Sequence, residues 1–424
     1  LLHEEALARY QPFLKKADFP VIHVINSLGW KRSGIVKLFV DFQVLPINRP
    51  VKIIDLSTGL EVPAQMIHKR AEGAYWEMEV KDIPAMGNKT LKIELLNEPI
   101  LLTTEDPKLD ELENKFYRLT IDKLTGAINS LYDKELQREL IDTQNPWKIG
   151  QAIHETMPSR RKYEPVHTSV SNVKIETGSY GSVWKSIKIS ADLAGMGKGA
   201  DKSQNGLDVE IRLYNNIKKV ELKYTAHKQI ITDPEALYVA FPFALPDSRI
   251  VFETIGGTLT QGDQMPGSSS DWNVAQNFVS VRGKTGQIVI VSDEIPLWQF
   301  SDLNMGKFER YPKRGKTWLY SWVMNNYWFT NFRAYQEGGF SWSYQLTSSM
   351  DTSNTFATKF GWGERNSFPT RTFPAAAKNE LKEVLSESLK IDGSTNVLLV
   401  NSRPALNGKD AVVLHFRELE GKDA

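Results

Sequence analysis

The stretch VEIRLYNNIKKVELKY, at residues 209–224, shows the pattern that decides the fold of this chain. Apolar and polar side chains alternate on both sides of Asn215-Asn216, a pair of residues that is common in tight turns. The alternation predicts a β-hairpin with one buried face. Further strand-like segments continue to about residue 350 without a helical period between them. The sequence therefore predicts a large antiparallel β-sandwich and not a fold of alternating strands and helices.

The segments before this region predict a separate, smaller β domain. Residues 2–16 carry apolar side chains at helical spacing, which indicates a short N-terminal helix that belongs to something upstream. Short strands separated by turn-prone groups follow it within about 80 residues, a density typical of a small Ig-like sandwich. These strands are predicted at residues 21–25, 35–40, 51–54, 75–80 and 90–95.

The last residues predict the beginning of a further β unit. Residues 375–390 are predicted to be helical or irregular, and strands are predicted at residues 396–400 and 411–416. The all-β chain then divides as follows: the end of an upstream helical region (1–19), a small Ig-like β-sandwich (20–104), a large β-sandwich (105–375), and a linker with the start of an incomplete C-terminal β domain (376–424).

Composition places the chain among globular proteins, with 41% hydrophobic and 24% charged residues. A formal net charge of +1 gives no bulk electrostatic attraction to nucleic acid or to an anionic membrane. No apolar run approaches the roughly 20 residues that cross a bilayer. The lack of cysteine excludes disulfides and thiolate zinc sites, and the histidines form no local metal motif. Because the sequence opens at Leu1 without a signal peptide, we expect a segment of a longer protein, whose compartment is undetermined.

Two segments, residues 263–272 and 324–332, combine aromatic rings with amide and carboxylate side chains. Rings lie against the C–H faces of a sugar, while amides and carboxylates bond its hydroxyls. Glycine, proline and asparagine in both segments indicate loops at the ends of strands. We therefore predict a substrate-binding surface for carbohydrate, formed by the following side chains: Asp263, Gln264, Asp271, Trp272, Asn325, Asn326, Tyr327 and Asn331.

Each of these segments also has a structural interpretation. Asp263 or Asp271 caps a turn, bonds a sugar hydroxyl or takes part in acid–base chemistry, and Tyr327 belongs equally well to a turn or to a sugar contact. Hydrolysis of a glycoside needs two carboxylates that face each other across the bond. The candidates for a second acid, Asp302 and Glu309, lie in sequence typical of a solvated loop. The sequence therefore assigns no catalytic residue and no metal ligand.

Several short motifs occur in a fixed order and resemble one enzyme family. They read VINSLGWKR (24–32), VPAQ (62–65), IPAMG (83–87), NKFYRL (114–119) and GAINSLYD (126–133), followed by the two polar–aromatic segments. Together they resemble the C-terminal half of a bacterial-type glycoside hydrolase family 38 α-mannosidase. The resemblance covers nearly all of the chain from Val21 onwards.

The resemblance implies a retaining exo-α-mannosidase that uses one zinc ion. In such enzymes an N-terminal α/β barrel holds the zinc ligands and the aspartate nucleophile, and a three-helix bundle follows the barrel. The C-terminal β domains, including a large supersandwich similar to galactose mutarotase, pack against the barrel and form part of the cleft wall. The barrel is not part of this sequence, so the nucleophile and the zinc ligands are carried over to no residue here.

The sequence thus supports three hypotheses. The first is a non-catalytic part of an α-mannosidase, with an α-mannoside and the enzyme's own barrel as its partners. The second is a stand-alone carbohydrate-binding module, and the third is a purely structural scaffold. The segment alone is expected to be inactive and to bind no zinc, while a homo-oligomer and the preferred linkage are left open.

Overall fold

The computed structural model describes residues 2–97, 108–197, 206–268, 271–307, 315–328, 331, 333–391, 395–406, 408 and 410–422. Within this part of the chain there are two α-helices, α1 (Leu2–Tyr10) and α2 (Asn354–Arg365), and a short 3-10 turn at Gln11–Phe13. Neither helix is long and apolar enough to cross a membrane. Most of the remaining ordered structure consists of antiparallel strands.

The strands run through the whole chain. The first group is β1 (Val21–Asn26), β2 (Arg32–Asp41), β3 (Val51–Asp55), β4 (Ala64–Lys69), β5 (Gly73–Ile83) and β6 (Gly87–Leu95). The second group is β7 (Glu111–Glu113), β8 (Tyr117–Ile121), β9 (Ile128–Asp133), β10 (Arg138–Glu139), β11 (Gln151–Thr156), β12 (Val166–Thr168), β13 (Ser171–Tyr180), β14 (Trp184–Asp192), β15 (Leu207–Tyr214), β16 (Val220–Lys228), β17 (Glu235–Pro242), β18 (Arg249–Thr254), β19 (Gly257–Thr260), β20 (Asn273–Val274), β21 (Val279–Arg282), β22 (Gln287–Val291), β23 (Leu297–Phe300), β24 (Trp318–Asn325) and β25 (Gly338–Ser349). The last group is β26 (Thr370–Phe373), β27 (Leu385–Ser386), β28 (Val397–Pro404) and β29 (Val412–Glu418).

The chain separates into two compact units. The small unit contains Leu1–Thr104, Gly181–Val183 and Asn366–Ala424, and the large unit contains Glu105–Tyr180 and Trp184–Arg365. The sequence placed the end of the large domain at residue 375. In the structure β26 pairs with β1 and therefore adds a strand to the small unit.

The small unit is a two-sheet sandwich. One sheet has the order β26-β1-β6-β27 with β3 paired to β6, and the other has the order β2-β5-β4. Alternate side chains of these strands, such as Ile22, Val36, Met78 and Leu91, are buried together between the sheets. Strands β28 and β29 form a separate two-stranded sheet.

The large unit consists of sheets of nine, six and four strands. The nine-stranded sheet has the order β13-β14-β15-β16-β25-β22-β21-β18-β19, the six-stranded sheet β12-β11-β17-β24-β23-β20, and the four-stranded sheet β10-β9-β8-β7. The predicted hairpin is present as β15 and β16, with Val209 opposite Tyr224 and Leu213 opposite Val220. The all-β prediction, an Ig-like sandwich followed by a large antiparallel supersandwich, is confirmed.

The central strand β17 positions the candidate site, because it is buried on both of its faces. Leu237, Val239 and Phe241 point into the main core of the large unit. The alternate residues Tyr238 and Ala240, on the other face, join a second cluster of rings and apolar side chains. The sheet therefore separates two hydrophobic layers, and the second layer lies under the polar–aromatic segments.

Helix α2 was not predicted from the sequence. It contains Gly361 and Gly363, and glycine has a low helix propensity, so the segment carries a weak helical signal. Gly361 lies against the backbone of Asn277, where an added Cβ would come within 2.8 Å of the carbonyl oxygen. Burial of Ala357 against Val289 and its neighbours stabilises the helix. Tertiary packing thus outweighs local propensity here.

One ion pair in the small unit is almost fully buried. The Lys89 ammonium lies 2.8 Å from Oδ2 of Asp55, and it also donates to the carbonyl oxygen of Lys81 at 2.7 Å. Burial by itself raises the pKa of Asp55, but the Lys89 ammonium and the donors of Ser57 outweigh it and hold the pKa below its ordinary value. Asp55 therefore stays charged, and each charge needs the other, since an unpaired buried ion is costly.

We predict that Lys89→Ala lowers the free energy of unfolding by about 3–5 kcal/mol, because it leaves the Asp55 carboxylate without its counter-ion. Lys92→Ala, on the same strand, removes the partly exposed pair with Glu94 and should cost less than about 1 kcal/mol. Since the folded-state pKa of Asp55 is depressed, its contribution is present above the unfolded-state pKa of about 3.9 and is lost as the pH falls through the folded-state value. Urea unfolding between pH 3 and pH 7 measures both effects, and equal losses for the two lysines would contradict the prediction.

Candidate functional site

The two polar–aromatic segments come together through their rings. The Trp272 ring centroid lies 5.6 Å from that of Trp322 and 5.5 Å from that of Trp328. Tyr327 lies 6.0 Å from Trp322 and 6.2 Å from Trp328, again between ring centroids. We call Trp272, Trp322, Tyr327 and Trp328 the aromatic platform. Trp328 is 43% exposed and Trp272 is half-buried, whereas the other two rings are buried.

The sheet explains this meeting of distant segments. Trp272 directly precedes β20, which pairs with β23, and β23 pairs with β24. Asn273 is level with Trp298, and Trp298 is level with Ser321. Because neighbouring strands lie about 4.8 Å apart, this register places Trp272 within reach of the rings on and after β24.

The predicted residue Asn326 is buried and fully engaged with the backbone. Its Oδ1 accepts a hydrogen bond from the Glu235 N–H at 2.7 Å, and its Nδ2 donates to the carbonyl oxygens of Ile231 at 3.0 Å and Asp233 at 2.8 Å. Asn325 is half-buried, and within the described part of the chain its Oδ1 accepts a single long bond of 3.4 Å from the Tyr327 N–H. These bonds favour the structural interpretation for Asn326.

Asp271 is also buried, and its Oδ2 accepts a hydrogen bond from the Gly306 N–H at 2.8 Å. Gly306 has φ 79° and lies against the ring of Tyr163. This bond agrees with the turn-capping interpretation of Asp271. Asp302 is exposed and pairs with Lys307 at 2.6 Å, while Glu309 lies outside the described residues.

The other predicted residues lie around the platform's segments. Gln264 is tied into its own loop, because its amide bonds the Gly262 N–H at 2.7 Å and Asn273 Oδ1 at 2.6 Å. Asp263 and Asn331 are exposed, and Asn331 has φ 66°, a left-handed conformation that asparagine tolerates. Of the predicted residues, the structure thus places Trp272 and Tyr327 in the platform. The exposed Asp263 and Asn331 are not part of it.

Sequence reasoning missed a buried carboxylate beneath the platform. Glu155 is completely buried, and its Oε1 accepts hydrogen bonds from the phenols of Tyr327 and, at 3.2 Å, Tyr238. Its Oε2 lies 2.5 Å from Nε2 of His167. The available signal was a glutamate within strand β11, whose residues are buried except for the last, Thr156. A glutamate is almost never fully buried unless it is paired.

Burial keeps the phenols around Glu155 protonated. It raises the pKa of Tyr327 far above its usual range, and the nearby Tyr238 and Glu155 raise it further. The pKa of Tyr163 is raised for the same first reason and by the charges of Glu155, Asp302 and Asp271. These hydroxyls are therefore protonated at neutral pH, and the Tyr327 hydroxyl donates its hydrogen bond to Glu155.

The described residues do not fit the zinc ion that the resemblance implies. Among them no group of three or more histidine, aspartate or glutamate side chains is close enough to hold a metal. His154 lies 2.7 Å from Glu235, but the Lys228 ammonium occupies the other oxygen of the same carboxylate at 2.6 Å. A cation at that carboxylate would meet the lysine charge.

Residues 112–304 match the family model described as the glycosyl hydrolases family 38 C-terminal domain. Over these residues, nearly all of which belong to the large unit, the chain is similar to that family's C-terminal domain. The resemblance found in the sequence motifs is thereby confirmed. No curated protein matches the chain by sequence.

Several solved structures are similar to this chain. An alpha-mannosidase from Enterococcus faecalis V583 aligns with 98% of the chain and 53% of its own length, at 13% identity and a TM-score of 0.73. A protein in the glycosyl hydrolase family 38 from Enterococcus faecalis aligns with 89% of the chain and 50% of its own length, at 13% identity and a TM-score of 0.64. The chain thus spans about half the length of each. A galactose mutarotase-like protein from Lactobacillus casei ATCC 334 aligns with 56% of the chain and 99% of its own length, at 9% identity and a TM-score of 0.35.

We predict that Asn326→Ala lowers the free energy of unfolding of the chain by about 2–4 kcal/mol, because it leaves several buried backbone groups without partners. Asn325→Ala is the matched control, since the Asn325 side chain makes a single long bond with the described residues. Denaturant unfolding measures both variants. A loss for Asn326→Ala no larger than that for Asn325→Ala would contradict the structural interpretation.

Proposed function

We propose that this chain is the non-catalytic C-terminal part of a zinc-dependent retaining α-mannosidase. In this proposal it packs on the enzyme's catalytic barrel and shapes part of the sugar cleft. The family 38 domain and the fold shared with the alpha-mannosidase from Enterococcus faecalis V583 support a role in a glycoside hydrolase. The single observation that carries the sugar contact is the partly exposed pair of Trp272 and Trp328.

The platform suits binding and not bond cleavage. Indole rings offer broad apolar faces to the C–H groups of a pyranose, and a half-exposed ring gains most when a ligand covers it. Retaining hydrolysis needs a nucleophile and an acid about 5 Å apart, and the proposal places both, together with the zinc ion, in the barrel. The chain would then add affinity for the α-mannoside and exclude water from one side of the cleft.

A second candidate, a stand-alone carbohydrate-binding module, relies on the same rings. It differs because it needs measurable affinity from this chain alone, whereas a cleft wall binds sugar only together with the barrel. A purely structural scaffold needs no sugar contact at all. In the scaffold the barrel itself would cover the exposed Trp328 ring, whereas in the proposed function the sugar covers it, so the kinetics of a Trp328 variant separate the two.

We predict that Trp328→Ala in the full-length enzyme lowers kcat/KM for aryl α-mannosides about tenfold, the equivalent of about 1.4 kcal/mol of lost contact. Its melting temperature should change little, because the ring is half exposed. Tyr75→Ala in the small unit is the control, since it removes another partly exposed ring and should leave kcat/KM unchanged. Unchanged kinetics for Trp328→Ala would remove the observation on which the sugar contact depends.

For the isolated chain we predict no hydrolysis of 4-nitrophenyl α-mannoside. We also predict that zinc added to the chain is not retained after dialysis against metal-free buffer. We also predict no heat of binding with methyl α-mannoside at millimolar concentration, because the platform forms only one wall of a site. Calorimetry and metal analysis check these outcomes. Saturable heat without turnover would support the carbohydrate-binding module instead, and clear turnover would overturn both hypotheses.

A further inference from the structure

The buried carboxylate of Glu155 is linked to the aromatic platform by hydrogen bonds to two phenols. Of the two phenols it holds, Tyr327 is the chain neighbour of Trp328, with ring centroids 6.2 Å apart. The other, Tyr238, stacks on Trp322 at 6.1 Å with the ring planes 7° apart. One carboxylate oxygen therefore fixes two rings on which the rest of the platform packs.

Trp322 passes this constraint to both exposed rings. Its centroid lies 5.6 Å from that of Trp272 and 6.0 Å from that of Trp328. Gln299 adds a further bond, since its Nε2 lies 3.2 Å from the Tyr238 hydroxyl. Because close-packed rings interdigitate with little free space, a change in the pose of the buried rings displaces the exposed ones.

The second oxygen of the Glu155 carboxylate has a partner of its own. His167 lies 2.5 Å from Oε2, and its side chain is 25% exposed at the edge of the six-stranded sheet on β12. A buried carboxylate without partners is strongly unfavourable, so the histidine and the two phenols together keep it in place. These contacts hold the carboxylate in one position, and the carboxylate in turn holds the Tyr327 hydroxyl.

An adjacent pair provides an internal comparison. His154 precedes Glu155 on β11, and successive side chains of a strand point to opposite faces. His154 pairs with Glu235 at 2.7 Å, and Glu235 also pairs with Lys228 at 2.6 Å. Both glutamates are buried and both contact a histidine, but among the described residues the Glu235 carboxylate meets His154 and the Lys228 ammonium and no phenol.

We propose that Glu155 is a positioning residue, whose carboxylate holds the Tyr327 phenol and thereby sets the pose in which Trp328 and Trp272 meet an α-mannoside. This inference rests on the proposed function of the platform. It assigns Glu155 no contact with the sugar and no part in proton transfer. Its effect is on the affinity for the substrate, which the rings supply before the reaction begins.

The test compares Glu155→Gln, Tyr327→Phe and Glu235→Gln in the full-length enzyme. Glu155→Gln and Tyr327→Phe should each raise KM for an aryl α-mannoside about three- to tenfold with kcat nearly unchanged, because a binding contact is lost equally from the ground state and the transition state. The double variant should be no worse than either single one, since both remove the same link. Glu235→Gln should lower the melting temperature without changing KM.

Near-ultraviolet circular dichroism of the 424-residue chain gives a readout that does not depend on activity. Glu155→Gln and Tyr327→Phe should change the tryptophan bands in the same way, and Glu235→Gln should leave them unchanged. If Glu155→Gln only lowers the melting temperature and leaves both KM and the tryptophan bands unchanged, Glu155 is merely structural and the proposal fails. Should Glu155→Gln not fold, the same two readouts on Tyr327→Phe decide the question.

The two proposals fail in different ways. Changed tryptophan bands together with an unchanged KM in Glu155→Gln, Tyr327→Phe and Trp328→Ala would support the positioning of the rings and overturn their contact with sugar. A raised KM in Trp328→Ala alone, with unchanged bands in Glu155→Gln, would keep the sugar contact and overturn the positioning by Glu155.

Discussion

The structure of the large unit depends on one strand that must be apolar on both faces. Strand β17 (Glu235–Pro242) is buried throughout, so it contributes to the main core with one set of side chains and to the ring layer with the other. Most sandwich strands expose one face to solvent and alternate in polarity. By covering the second face, the ring layer extends the hydrophobic interior outward, and its members Trp272, Trp322 and Tyr327 form the aromatic platform together with Trp328.

Each buried phenol needs a partner for its hydroxyl. Each hydroxyl taken out of water needs a hydrogen-bond partner, or it costs about 1–3 kcal/mol. The fold meets this requirement with side chains that are themselves buried: Glu155 holds Tyr327 and Tyr238, and Asn145 donates to Tyr320, whose pKa burial raises to about 12. The polar groups around the platform are therefore in large part the support of its rings, and the surface they support is apolar.

The fold tolerates great divergence of sequence because its main determinants are patterns. At 13% identity the chain and the alpha-mannosidase from Enterococcus faecalis V583 share a fold with a TM-score of 0.73. Alternation of polarity selects the buried face of a strand, and any apolar side chain of suitable volume can fill the position. The specific interactions, such as the Lys89–Asp55 pair, involve few residues and are spread over both units.

The sequence by itself determined the all-β class, the hairpin of residues 209–224 and the presence of rings beside amides, because period-two alternation and turn residues are local signals. It also pointed to the rings of Trp272 and Tyr327, although not to their shared contact with Trp322. Only the tertiary structure decided that the Asn326 amide forms hydrogen bonds with the backbone and that Glu155 lies under the platform. Those partners are distant in the chain, and no local pattern records which buried polar groups a fold brings within hydrogen-bonding distance.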